Sequence, residues 1–146
     1  MRVTFLDHSG FLVESASAAL LFDWWKGELP AVRPGVPLYV FASHAHPDHF
    51  DPRIFSLDDG TRDVRFLLGR DIRLSPSGLA RWGVSPETAD KCRALRGGQS
   101  CVLPGIGVEV LPSTDEGAAF LVSLDGQTVF HAGDLNWWHW EGEDKA

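Results

Sequence analysis

The chain has 146 residues, a formal net charge of −7 and a sequence pI near 5.2. Apolar residues make up 44% and charged residues 23%, which excludes an intrinsically disordered chain and fits one globular domain. An acidic surface repels phosphate backbones, so broad nucleic-acid binding is not expected, and no apolar run is long enough to predict a membrane-crossing helix.

Short β segments dominate the first forty residues. Arg2 to Leu6 alternates polar and apolar, Gly10 interrupts it, and Phe11 to Glu14 follows. A small-residue turn precedes Ala18 to Phe22, which ends at Asp23. Prolines and glycines between Gly27 and Pro37 mark a loop. Leu38 to Ala42 is a continuous apolar run, the pattern of a strand buried on both faces. Asp51-Pro52 predicts a capped helix start, with a short helix through Ile54, Phe55 and Leu57 stopping near Gly60. Val64 to Leu68 reads as a strand, and Ser75 to Trp82 and Ser85 to Leu95 as short helices. Strands are expected at Gly107 to Leu111, Ala118 to Leu124 and Thr128 to Ala132, the last two joined by the turn pair Asp125-Gly126. By this pattern the chain is a strand-rich α/β protein. The two cysteines, Cys92 and Cys101, read as reduced thiols. Asp7 and His8 fall where an export signal needs its apolar core, so a cytoplasmic protein is expected.

Directly after the buried strand comes His44-Ala45-His46-Pro47-Asp48-His49, which holds three of the six histidines. Imidazole nitrogen and carboxylate oxygen are the usual ligands of zinc and similar divalent ions. A strand end opening into a loop lets such side chains converge on one point. Pro47 restricts the backbone there and so limits the entropy lost on closing around an ion.

This H-x-H-x-D-H run resembles the signature of the metallo-β-lactamase superfamily. Asp23 matches the family's early aspartate, and Phe130-His131-Ala132-Gly133-Asp134 matches its strand ending in Gly-Asp. His8 to Glu14 is similar to the first hairpin of the branch with ascorbate-lactonase-like members. The resemblance implies an αββα sandwich with two mixed sheets flanked by helices, of which this chain would hold the first half to two-thirds. It implies that His44 and His46 bind a first ion and Asp48 and His49 a second, that Asp134 bridges them, and that Asp23 orients ligands. Asp48 and His49 are then also the candidate catalytic pair. Two such ions, zinc or manganese, would share a water, lower its pKa and generate a hydroxide for attack on a small ester, lactone, amide or phosphodiester. Iron-using relatives usually carry a carboxylate where this chain has His46, which favours hydrolysis over redox chemistry. The alternative is a non-catalytic metal-binding or sensor protein on the same scaffold.

One departure concerns the family's further first-ion histidine. Thr114 stands at that position, or Asp115 with a one-residue slip. Asp115 as an oxygen ligand and Thr114-Asp115 as a plain turn pair both stay open. His8 reads either as a relay or substrate contact or as a turn-shaping residue, and His131, inside an apolar strand, as structural. Trp137 and Trp138 are candidates for a substrate pocket, or for covering the core edge. With Trp140 they are expected to leave an exposed apolar face, where the remainder of the family's fold would pack or which a second copy of the chain would cover. Trp24 and Trp25 carry the same two readings, pocket wall or core, with core favoured.

Overall fold

The structure is a computed structural model that describes residues 1–113 and 117–134. Ten strands form two sheets. The first runs β1 (Arg2–Asp7), β2 (Gly10–Glu14), β3 (Ala19–Phe22), β4 (Leu38–Ala42), β5 (Val64–Gly69) and β6 (Cys92–Leu95), in that spatial order. Its β1, β2 and β3 pair antiparallel, while β3, β4, β5 and β6 pair parallel. The second sheet is antiparallel, ordered β10 (Gln127–His131), β9 (Ala118–Leu124), β8 (Ile106–Pro112), β7 (Ser100–Leu103).

Every residue of β3 and β4 is buried, which explains why Leu38 to Ala42 reads as an unbroken apolar run. Its two faces serve two cores. Tyr39 and Phe41 meet Leu20, Phe22 and Leu67 and the inward residues of the second sheet, among them Val108, Val110, Phe120 and Val122. Val40 and Leu38 face the other way, with Leu21, Phe66 and Leu68, against Ile54, Phe55 and Leu79. Removing one such side chain from water contributes about 1.5–3 kcal/mol. The helical residues of the second core come from a 3-10 helix (Pro52–Leu57) and α1 (Pro76–Arg81); α2 (Pro86–Ala89) completes that layer. The three helices start alike: Asp51, Ser75 and Ser85 cap backbone N–H groups, and Pro52, Pro76 and Pro86 sit in the first turn. The layers are therefore helix, sheet, sheet, three of the four in the expected sandwich. Among the described residues no helix covers the outer face of the second sheet, where Val102 is 87% and Phe130 50% exposed. Nor is any described helix long and apolar enough to cross a membrane.

Two expectations need correction, the first being that of two mixed sheets, since the second sheet is antiparallel among the described residues. The helix read over Ser85 to Leu95 is one turn, and residues 92–95 form β6. The Phe66 N–H donates to Lys91 O, and Lys91 Nζ donates to buried Asp58, which draws the chain onto the sheet edge. Leu95 then drops into the inter-sheet core. The short edge strand β7 was not anticipated; only Cys101 and Leu103 of its four residues face the core. Asp125-Gly126 forms the expected tight turn, both residues having positive φ (48° and 73°). Ser17 donates to the Asp125 carboxylate from both its N–H and its hydroxyl, which ties that turn to the β2–β3 turn. Cys92 and Cys101 are free thiols, and burial pushes Cys92 up to about 11.

Candidate metal centre

The parallel strands β3, β4 and β5 end at one edge, the place where open α/β sheets gather ligand-binding groups. Asp23 leaves β3 there and Ser43-His44 leaves β4, held in step by the Asp23 N–H donating to Phe41 O (2.9 Å). The β1–β2 turn and the end of β10 reach the same edge, bringing His8 and Asp134 to the His44–His49 loop.

Asp23 is fully buried and accepts three hydrogen bonds of 2.7 Å. One comes from the Ser43 N–H, one from the Ser43 hydroxyl and one from His49 Nδ1. Since the Ser43 hydroxyl donates to Asp23, its oxygen is left to accept from His44 Nδ1 at 2.9 Å. Both imidazoles thus carry their proton on Nδ1, one set directly by Asp23 and the other through Ser43. Their Nε2 lone pairs are freed, and this is how histidine ligands are usually prepared.

Both Nε2 atoms converge on Asp134. His44 Nε2 lies 3.1 Å from Asp134 Oδ2, and His49 Nε2 lies 2.9 Å from Oδ1. Each is buried and, among the described residues, without a hydrogen-bond partner, because the carboxylate sits close but is not aligned for a hydrogen bond. Donors bound at 2.0–2.2 Å to a common ion, with roughly 90–110° between them, stand about 2.8–3.6 Å apart, so each of the two pairs is spaced as two ligands of one cation would be. His46, exposed, has its ring centroid 4.5 Å from that of His44. Three trios place their ligand atoms within 4.8 Å of one another: His44, His46, Asp48; His44, His49, Asp134; and His8, Asp48, His49. The donor set of the described residues therefore fits divalent cations that take nitrogen and oxygen ligands. Burial, helped by the neighbouring His49, holds His44 below the usual histidine range. For His49 burial acts the same way, but the Asp23 hydrogen bond and the charges of Asp23, Asp134 and Asp48 outweigh it and raise the ring.

Asp134 reaches this point through Gly133, whose φ is +59°. A Cβ there would lie 2.9 Å from Ala118 O and 3.0 Å from Ser43 Cβ. His131 holds the neighbouring turn: its Nε2 and Ser9 O are 2.8 Å apart, and its ring stacks on Phe22 at 4.9 Å. The two tryptophans after Asp23 part company. Trp24 packs on the helix-side core with Arg53 over its ring, whereas Trp25 meets His8 edge-on at 6.2 Å. Asp71, which the sequence reading passed over, accepts from the Ala45 N–H at 3.0 Å, between the first two histidines. Thr114, Asp115, Trp137, Trp138 and Trp140 lie outside the described residues.

Two sheets with a histidine–aspartate cluster at the carboxyl ends of parallel strands define a two-sheet α/β scaffold with a candidate metal centre. A profile described as "Beta-lactamase superfamily domain" matches residues 2–139, and the chain belongs to that superfamily. It is similar to a UPF0173 metal-dependent hydrolase of Opitutus terrae, 32% identical over 155 residues, which covers 92% of this chain and 63% of the relative. A UPF0173 metal-dependent hydrolase of Carboxydothermus hydrogenoformans is 28% identical, with 92% and 62% covered. The chain thus spans somewhat over three-fifths of the length of these relatives. Among solved structures, Igni18, a metallo hydrolase of Ignicoccus hospitalis, superposes with a TM-score of 0.63 at 21% identity, covering 93% of this chain and 61% of its own.

Proposed function

We propose that the chain is a metal-dependent hydrolase whose cluster holds one or two divalent cations of the zinc or manganese type. In this reading its substrate is a small ester, lactone, amide or phosphodiester. The observation that carries the reading is the pair of buried Nε2 atoms aimed at Asp134, which have no hydrogen-bond partner among the described residues. The names of the UPF0173 relatives support it.

His44 and His46 would hold the first ion, Asp48 and His49 the second, and Asp134 both. When bound, such ions polarise a carbonyl or phosphoryl oxygen and bring the pKa of water toward neutrality. The chain's own residues supply the orientation. Asp23 keeps a proton on His49 Nδ1, and through Ser43 on His44 Nδ1, so that neither ring turns a proton toward the ions. Asp71 holds the backbone between His44 and His46, and Trp25 packs edge-on against the His8 ring.

The test is metal analysis of freshly purified protein, followed by hydrolysis of a generic phosphodiester and a lactone with and without chelator. The expected result is close to two ions per chain, turnover lost on chelation, and turnover abolished in His46→Ala. Protein that binds no ion after reconstitution overturns the reading. Ions held firmly without turnover of any ester, lactone or phosphodiester favour the binding or sensor alternative.

A further inference from the structure

We propose that His8 is an additional protein ligand of the second ion, forming one coordination set with Asp48, His49 and Asp134. The inference rests on the metal reading above and extends it to a residue on the opposite end of the chain.

Three observations carry it. The first is a continuous series of ligand-to-ligand spacings. His8 Nε2 is 3.0 Å from Asp48 Oδ2, that oxygen is 3.6 Å from His49 Nε2, and His49 Nε2 is 2.9 Å from Asp134 Oδ1. All three lie within the roughly 2.8–3.6 Å expected between donors on one cation. The second is His49 itself, fully buried, with Nε2 lacking a hydrogen-bond partner among the described residues and directed at these carboxylates. A lone pair so placed needs a cation or a proton, and Asp23 already fixes the ring's proton on Nδ1.

The third is how His8 is presented. It sits in the β1–β2 turn with φ +53°, a conformation non-glycine residues seldom adopt. The turn is fastened by His131 to Ser9 O, and Gly10 packs so closely that a Cβ would lie 3.0 Å from Asp7 O. A histidine that merely shaped the turn would not need its ring 5.5 Å from that of His49. As a ligand, its side chain closes the second ion's surroundings on the side where Asp48 is about half exposed.

His8→Asn tests this, because asparagine accepts the left-handed backbone but lacks the imidazole; His8→Gly serves as a second variant, and circular dichroism verifies folding of both. Wild type and variants are loaded with cobalt(II). Ions per chain are counted after titration with a competing chelator, and the solvent-exchangeable, paramagnetically shifted imidazole N–H signals are recorded by NMR. The variants should hold the first ion as wild type does, hold the second at least tenfold more weakly, and lose one shifted N–H signal. Unchanged affinity for the second ion overturns the proposal. So does weakened affinity with every shifted signal retained, which would make His8 a partner of Asp48 and not a ligand. Wild-type protein that binds no cobalt at all instead sinks the metal reading on which this one rests.

Discussion

Replacing Asp23 with asparagine should uncouple metal binding from folding. Asp23 has φ +46°, which asparagine tolerates as well as aspartate, so the backbone is not penalised. The amide oxygen can keep the Ser43 N–H bond, but the amide NH₂ then stands where Oδ2 accepted from His49 Nδ1 and the Ser43 hydroxyl. Donor cannot face donor. His49 must therefore move its proton to Nε2, and Ser43, now accepting from the amide, must turn its hydroxyl toward His44 Nδ1, with the same consequence there. Both ligand nitrogens would carry protons facing the ions. Changes of this kind cost tenfold to a hundredfold in metal affinity, or about 1.4–2.7 kcal/mol. Folding of the metal-free chain should change less. Lost charge-assisted bonds, worth about 1.5–3 kcal/mol each, are offset by no longer burying a charge, so the net change stays within about 2 kcal/mol. Chelator competition measures the first quantity and urea unfolding the second. Long-range ¹⁵N correlation spectra of the metal-free protein report the tautomers. Wild-type metal affinity in Asp23→Asn, or Nδ1-protonated rings in that variant, would refute the account. Asp23→Ala is the contrasting case: it strands buried donors and adds about 1–2 kcal/mol of left-handed strain.

Gly133→Ala should destabilise the fold by more than 2 kcal/mol or so, since left-handed strain adds to contact with the Ala118 carbonyl, and it should lower metal stoichiometry by displacing Asp134; urea unfolding and metal counting check both. Asp58 is a test of pH dependence away from the cluster. Burial pushes its carboxyl up, but bonds from Lys91 and Thr88, both 2.7 Å, prevail and hold it below 3.8. The unfolded chain therefore takes up this proton first, and stability from Asp58 is present above pH 3.8 and lost as the pH falls through the lowered folded value. Asp58→Asn should cost about 1–3 kcal/mol near neutrality, and its deficit against wild type should shrink in acid; a constant deficit across that range contradicts the assignment. Finally, divalent metal at a hundred times its dissociation constant should stabilise folding by about 2.7 kcal/mol and raise the Tm, an increment that excess chelator should abolish.

The parts of the fold legible in the sequence were those where one local signal had no competitor. Leu38 to Ala42 could only be a doubly buried strand, and Asp125-Gly126 only a tight turn. Ser85-Pro86 announced a helix start correctly, yet nothing local said that the helix would last one turn. That outcome depends on Asp58, far away in sequence, anchoring Lys91 and so committing residues 92–95 to the sheet edge. The site divides along the same line. The loop His44 to His49 is contiguous, so its density of ligand side chains is visible without a fold. Ser43 and Asp71 act through a hydroxyl relay and one backbone N–H, and neither residue type in isolation signals such a role. His8 was visible as a histidine near a turn, but its distance to Asp48 depends on β1 and β2 adding to the same sheet as β4.

Charge explains why the cluster is built from these groups in an already acidic chain. Asp23, Asp48 and Asp134 place three carboxylates among imidazoles, in part away from water, where uncompensated like charge is costly. Ser43 and His49 shield Asp23 with hydrogen bonds, but among the described residues only imidazoles face Asp134. One divalent ion would leave the cluster with one net negative charge, and two would leave it with one net positive charge. Only the second state is matched to the negative charge that builds on oxygen during ester or phosphodiester cleavage. On this reasoning, turnover should follow occupancy of the second site rather than the first. The second site is the one that Asp48, His49 and His8 would form, so substitutions there should lower turnover in proportion to the second ion lost.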